Sequence, residues 1–403
     1  MVAFLLLAVA LLPPAWGATW TASHFSELVA RDSHPAVDSV DASVFDQAID
    51  QLPHDRKIAV SDRERHEQYD DIEALLEKMG SGFPSERVSL FDLARTSNLA
   101  AYDILFLGCA AEMAPEIPTH PSMAPFSGIS IFQKMGYSDG VRSSLRDFVD
   151  RGGAIYASDW AAQYLRISFP ESITISPQLF PKQYVQARVL DPGLAEVIGQ
   201  KIGLVFDKDL WVCAERVQGG KVYLEGLVKD ASGKEAVLPL LVGFPHGKGQ
   251  VVYTSFHNET AKDRSAELTE QQKGLLEYLV FKQVTSGVSG EVSRILVEQK
   301  YTLSKETLFS TGTGGPRTFT FQTQPGKKIS FMLGWNVPPT GPRPILELAV
   351  QSPTEETLVK KSDKPPVVVS VESSVAGDYR YAVHSVQVPY NNFPFVLQVG
   401  VKE

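Results

Sequence analysis

The chain has 403 residues, of which 38 are basic and 47 acidic, for a formal net charge of -9 at pH 7. The two signs are interleaved and no basic patch with aromatics stands out, which argues against nucleic acid as a partner. Two cysteines, Cys109 and Cys213, are too few for a disulfide framework. They suit either one bridge in an oxidising compartment or two small buried hydrophobes.

Ala3 to Leu12 is an unbroken apolar run, followed by Pro13-Pro14 and the small-residue stretch Ala15-Trp16-Gly17-Ala18. The run is too short to span a bilayer. A short apolar core, helix-breaking prolines and a small-residue cleavage site predict a secretory signal peptide over 1–18, although no Lys or Arg precedes it. The mature chain is then expected to be exported, periplasmic or extracellular, with no membrane span. Its length, about 385 residues, suits two or three domains. Residues 19–55 read as a spacer rich in Ser, Asp, Ala and His, with one amphipathic stretch from Val44 to Leu52.

From Lys57 the pattern alternates between strand and helix. Lys57–Ser61, Arg87–Phe91, Tyr102–Gly108 and Ala154–Ala157 read as strands. Asp70–Met79 and Ser138–Arg151 place apolar residues at helical spacing, and each stops at glycine. The near-continuous apolar strand Tyr102–Gly108 suits a parallel sheet covered on both faces. Residues 166–250 are richer in strand patterns, at Tyr184–Leu190, Leu204–Val217, Lys221–Val228 and Pro239–Phe244, with a hairpin signal at Asp230-Ala-Ser-Gly233. Val251–Phe256 is the last strand of this region and Thr269–Gln283 its last helix. Strand and helix alternation predicts an α/β domain with a parallel sheet over 56–286.

Thr285–Gly290 reads as a linker. The rest is strand and turn, at Thr318–Gln322, Lys328–Leu333, Ile345–Val350, Val367–Glu372, Tyr379–Val388 and Phe395–Val401. That spacing predicts an all-β sandwich or jelly roll over 287–403.

The chemistry concentrates at Gly247-Lys-Gly-Gln-Val-Val-Tyr-Thr-Ser-Phe-His-Asn-Glu259. A strand runs into His257 and Glu259, and in extended chain residues two apart project to one side. A histidine and a carboxylate at the C-terminal edge of an open α/β sheet stand where such folds bind ligands. The second feature is the sharp turn Ala157-Ser-Asp-Trp-Ala161.

These features, in this order, resemble the class I glutamine amidotransferase-like fold, nearest its ThuA-like branch. There, a nucleophile elbow follows a Gly-Gly-strand, and Phe-His-x-Glu follows the last major strand. Phe256-His257-Asn258-Glu259 matches the second motif, and the first is matched in shape, by the small residues that flank the turn Ala157-Ser-Asp-Trp-Ala161 with Gln163 at the family's spacing. The register puts Asp159 where the family has its cysteine, and a slip of one residue puts Ser158 there instead. The resemblance covers about 230 residues and speaks more to fold than to chemistry. The sandwich is similar to modules attached to secreted bacterial enzymes, through Gly377-Asp-Tyr-Arg-Tyr-Ala-Val383 and Asn392-Phe-Pro-Phe-Val-Leu-Gln-Val399.

If this elbow is catalytic, the resemblance implies a hydrolase. His257 takes the proton of a Ser158 nucleophile, or activates water against an ester formed on Asp159, while Glu259 fixes the histidine tautomer. Alternatively, Asp159 caps the helix that follows, a common role for its type. Asp159, His257 and Glu259 also form a weak divalent-metal set. Cys109 ends a strand at the same sheet edge, and His66 can line the same crevice. Trp160 and Tyr253 read as packing residues, and the Pro- and Met-containing stretch 110–137 as a lid or plug. Loss of the family cysteine favours an exported, non-catalytic binding or envelope-associated protein, with no cofactor and with a protein or glycan as ligand. A hydrolase and a carbohydrate-active protein are the alternatives.

Overall fold

The computed structural model describes residues 57–61, 72–73, 76, 85–89, 92–109, 137–206, 209–257, 270–311, 317–338, 341–390 and 393–403, with the pair His34–Pro35. The signal peptide, most of the spacer, His66, Glu259 and the stretch 110–136 lie outside the described residues.

The first strands are β1 (Ile58–Ser61), β2 (Ser85–Val88) and β3 (Ile104–Leu107). Helix α1 (Tyr137–Asp150) leads to β4 (Ala154–Ser158) and α2 (Ala162–Ser168). Then come β5 (Ile173–Phe180), β6 (Gln183–Val189), α3 (Pro192–Ile198), β7 (Lys201–Phe206) and β8 (Trp211–Val217). The run closes with β9 (Lys221–Lys229), β10 (Glu235–His246), β11 (Gly249–Thr254) and α4 (Glu270–Val284).

Nine of these strands form one sheet in the order β2-β1-β3-β4-β11-β10-β9-β6-β7. The first five are mutually parallel and follow the flavodoxin-like order. From β11 onward every pairing is antiparallel. The expected parallel sheet is therefore mixed, because hairpin turns rather than crossover helices join β9, β10 and β11.

Strand alternation decides the layers. In β4, Ile155 and Ala157 face a core shared with Val141, Leu145, Phe148 and Val149 of α1. Ala154 and Tyr156 face the opposite core, shared with Leu275, Tyr278 and Leu279 of α4. Helix α1 ends where Gly152 takes φ +111° and its N–H bonds the Val149 carbonyl at 2.9 Å. A left-handed residue of this kind is the common helix stop.

The expected linker is helical: residues 286–298 form α5 (Ser286–Glu298), directly after α4. Four apolar side chains, Val288, Val292, Ile295 and Leu296, outweigh the two glycines of its first turns, because they enter the core beneath α4.

The remaining strands are β12 (Thr302–Thr311), β13 (Arg317–Thr323), β14 (Lys328–Gly334), β15 (Ile345–Gln351), β16 (Thr357–Ser362), β17 (Val367–Glu372), β18 (Gly377–Gln387) and β19 (Phe393–Lys402). They make a sandwich of two sheets, β12-β19-β14-β17 and β16-β15-β18-β13, with His34–Pro35 pairing along β16. Phe331, Leu348, Tyr381 and Leu397 fill the space between the sheets. The outer face of the first sheet is apolar too. Met332, Val368 and Val396 pack with α5 into the core that also holds α4 and Leu224. The sandwich and the α/β unit thus share one core. No helix among the described residues is long and apolar enough to cross a membrane.

Candidate functional site

Three adjacent parallel strands deliver three side chains to one point at their C-terminal ends. Strand β3 leads into Cys109, β4 into Asp159, and β11 through Ser255 and Phe256 into His257. The thiol donates to Asp159 Oδ2 over 3.3 Å, and His257 Nε2 lies 3.1 Å from the same oxygen. Sγ, the carboxylate oxygen and the ring nitrogen all lie within 4.8 Å of one another.

Asp159 is the hub, and its backbone explains why. It takes φ +43°, a left-handed conformation uncommon outside glycine and tolerated best by Asn and Asp. Strain of this sort clusters at functional sites. The turn runs at once into a one-turn 3-10 helix, Asp159–Ala161, and then α2. The carboxylate does not cap either helix. Both N-cap positions, Ser158 and Ala161, lack a side-chain cap bond, and Oδ1 instead accepts from the Val212 N–H at 2.8 Å. The expected capping role is thus replaced by a tie to β8, a strand that sequence reasoning did not separate from β7.

The elbow is fixed from below. Tyr253 is fully buried, and its hydroxyl lies 2.8 Å from the Val212 carbonyl and 3.1 Å from the Asp159 carbonyl. Burial, and then the nearby Asp159 charge, push its phenol well above the ordinary tyrosine range, so it stays a donor. The His257 ring packs on Trp211 with centroids 4.3 Å apart, and Trp211 stacks on Phe206 at 4.7 Å. The stack holds the face of the ring while Nε2 meets Asp159.

Cys109 and Cys213 are both buried thiols, so the bridge that the sequence allowed does not form. Burial, and then the Asp159 charge, push the Cys213 thiol far up. Trp160 is buried in the α1 layer, as packing predicts. Ser158 is wholly buried at extended dihedrals, on the strand face that carries Ala154 and Tyr156. The structure therefore brings together Asp159, His257 and Cys109, and leaves Ser158 in the strand. Sequence reasoning missed Val212 and Trp211: a backbone N–H leaves no side-chain signature, and a tryptophan that packs on the site reads in the sequence like any core aromatic.

No family model matches the chain, and no curated protein matches it in sequence. Among solved structures it is similar to a protein described as ThuA-like from Bacteroides uniformis. Identity is 11% over 59% of this chain and 95% of that one, with a TM-score of 0.40. It is also similar to a protein from Thermoplasma acidophilum described as part of a GMP synthase, at 14% identity over 62% of this chain and all of that one, with a TM-score of 0.33. A β-galactosidase from Bacillus circulans sp. alkalophilus shares 11% identity over 85% of this chain and 41% of the enzyme, with a TM-score of 0.31. The chain thus spans less than half of that enzyme's length. With scores this low, the fold rests on strand order and the site on its own geometry.

Proposed function

We propose that the protein is exported and binds a protein or glycan partner without chemical turnover. The apolar run Ala3–Leu12 with its small-residue border supports export. One observation carries the non-catalytic reading. The side chain at the elbow position is a carboxylate, and its two oxygens already accept from Val212 and Cys109 and meet His257. A nucleophile needs a free lone pair aimed at substrate, and Asp159 is only 3% exposed. Ser158 is fully buried and makes a poor substitute.

A hydrolase is the second reading, favoured by the strained Asp159 backbone and its contact with His257. In that mechanism Asp159 forms an ester with substrate, and His257 activates the water that cleaves it. A screen against ester, amide and glycoside panels, run beside His257→Ala, separates the two. The binding reading predicts no turnover above the variant. Turnover that disappears with His257→Ala overturns it. N-terminal sequencing of protein from the native host tests export, with a start at Ala18 or Thr19 expected and retention of Met1–Leu12 contradicting it.

A further inference from the structure

We propose that Cys109, Asp159 and His257 form a zinc site. The inference deepens the reading of a non-catalytic binding protein and rests on it for the role of this site. Thiolate, carboxylate and imidazole are three of the donors zinc accepts. Three protein ligands with the fourth position left to water or an outside ligand is the arrangement of catalytic zinc, and in a binding protein that position is where a donor from the partner would sit. Thiolate and imidazole together select against magnesium and calcium, which take oxygen ligands.

The spacing fits. Bond lengths of about 2.0–2.3 Å around a tetrahedral ion place ligand atoms about 3.4–3.6 Å apart. The observed separations are 3.3 Å for Cys109 Sγ to Asp159 Oδ2 and 3.1 Å for His257 Nε2 to the same oxygen. The third pair lies within 4.8 Å. Hydrogen bonds draw the first two pairs a few tenths of an ångström closer than a bound ion would hold them; zinc binding releases the Cys109 thiol proton to solvent, and small rotations then open the site.

The surroundings supply what metal ligands need beyond their own atoms. Asp159 Oδ1 is held by the Val212 N–H at 2.8 Å, which leaves Oδ2 facing both the sulfur and the nitrogen. Trp211 holds the His257 ring in place. Outer contacts of this type orient ligands and raise affinity. All three ligands sit on the ends of adjacent strands of one sheet, a rigid base.

The test uses the full mature chain, treated with chelator, dialysed and titrated with zinc by calorimetry, with cobalt as the spectroscopic probe. One zinc per chain is expected, together with a thiolate-to-cobalt charge-transfer band. Cys109→Ser and His257→Gln are each expected to weaken zinc binding by about a hundredfold or more, since even outer-shell changes cost ten- to a hundredfold. Cys109→Ser is also expected to abolish the cobalt band, and its near-isosteric hydroxyl keeps the metal-free fold, which circular dichroism checks. Cys213→Ser, which alters a buried thiol outside the trio, should leave binding intact. Absence of stoichiometric zinc, or binding unchanged in Cys109→Ser and His257→Gln, overturns the proposal. The same zinc-loaded samples go through the hydrolase panel. Turnover there defeats the non-catalytic reading and leaves the metal site standing, whereas absence of zinc defeats the site alone.

Discussion

Gly193→Ala should destabilise the protein, although the same change in an ordinary helix stabilises it. Gly193 is the second residue of α3, and alanine is favoured over glycine in a helix by about 1 kcal/mol. Here, however, a Cβ would stand 2.0 Å from the backbone carbonyl oxygen of Glu306 in β12 and 3.3 Å from Asp191 Oδ1. A backbone carbonyl cannot swing aside as a side-chain tip can, so α3 and β12 must separate by more than an ångström. Overpacking of this kind costs about 1–3 kcal/mol. The shift also strains the Glu306 side chain, which pairs with Lys282 at 3.4 Å and accepts from Gln398 at 2.8 Å. The difference is about 0–2 kcal/mol, and a 2.0 Å approach to a backbone oxygen belongs at the upper end of the overpacking range, so the clash wins with a net loss of about 2 kcal/mol. Gly290→Ala is the control. Gly290 lies in α5, and a Cβ there would meet nothing within 4 Å, so alanine should add up to about 1 kcal/mol. Urea denaturation, read as a change in midpoint at constant slope, measures both. A Gly193→Ala protein as stable as wild type would refute the close approach of α3 to the sandwich.

The same junction predicts more. Lys282 and Glu306 are largely buried, so Glu306→Gln alone should cost about 3 kcal/mol, and pairing it with Lys282→Met should recover part of that in a double-mutant cycle. Burial raises the Glu306 carboxyl, but Lys282, Ser289 and Gln398 outweigh it and hold the group below its ordinary value of 4.5. The stabilisation is therefore present above pH 4.5 and lost as pH falls through the lower folded value. Burial lowers the Lys282 ammonium, but Tyr223 and Glu306 outweigh it and raise the group above its ordinary 10.5, so its share persists below that pH and fades only at higher alkalinity. Because one core runs through α4, α5 and the sandwich, tryptophan fluorescence and far-ultraviolet dichroism should report a single unfolding transition. Two separated transitions would contradict it. Both cysteines should resist a thiol reagent in the native state and react on unfolding; fast native reaction of Cys213 would contradict its burial.

Much of the α/β unit was legible because its signals are local. Leu145, Phe148 and Val149 recur at helical spacing before Gly152, and Ala154–Ser158 is apolar enough to be buried on both faces. The sheet edge as the meeting point of Asp159 and His257 was legible from the elbow and the strand that ends at Phe256. What escaped depends on tertiary contacts. Helix α5 contains Gly287 and Gly290 and looks like a linker until Gly334 and Gly400 open the sandwich face to Val288 and Leu296. Strands β7 and β8 looked continuous, but β7 ends at Phe206, and Leu210 takes φ +70° just before β8, whose Val212 N–H meets Asp159. Asp159 looked like a cap because its type often is one. The neighbours that claim its carboxylate come from strands fifty or more residues away.

The most direct measurement is anomalous diffraction at the zinc edge from crystals grown with zinc. The account predicts one strong peak at the C-terminal ends of β3, β4 and β11. It should lie about 2.0–2.3 Å from Cys109 Sγ, Asp159 Oδ2 and His257 Nε2. A peak elsewhere only, or an elbow with Asp159 turned away from Val212 and His257 as a free surface carboxylate, would contradict it.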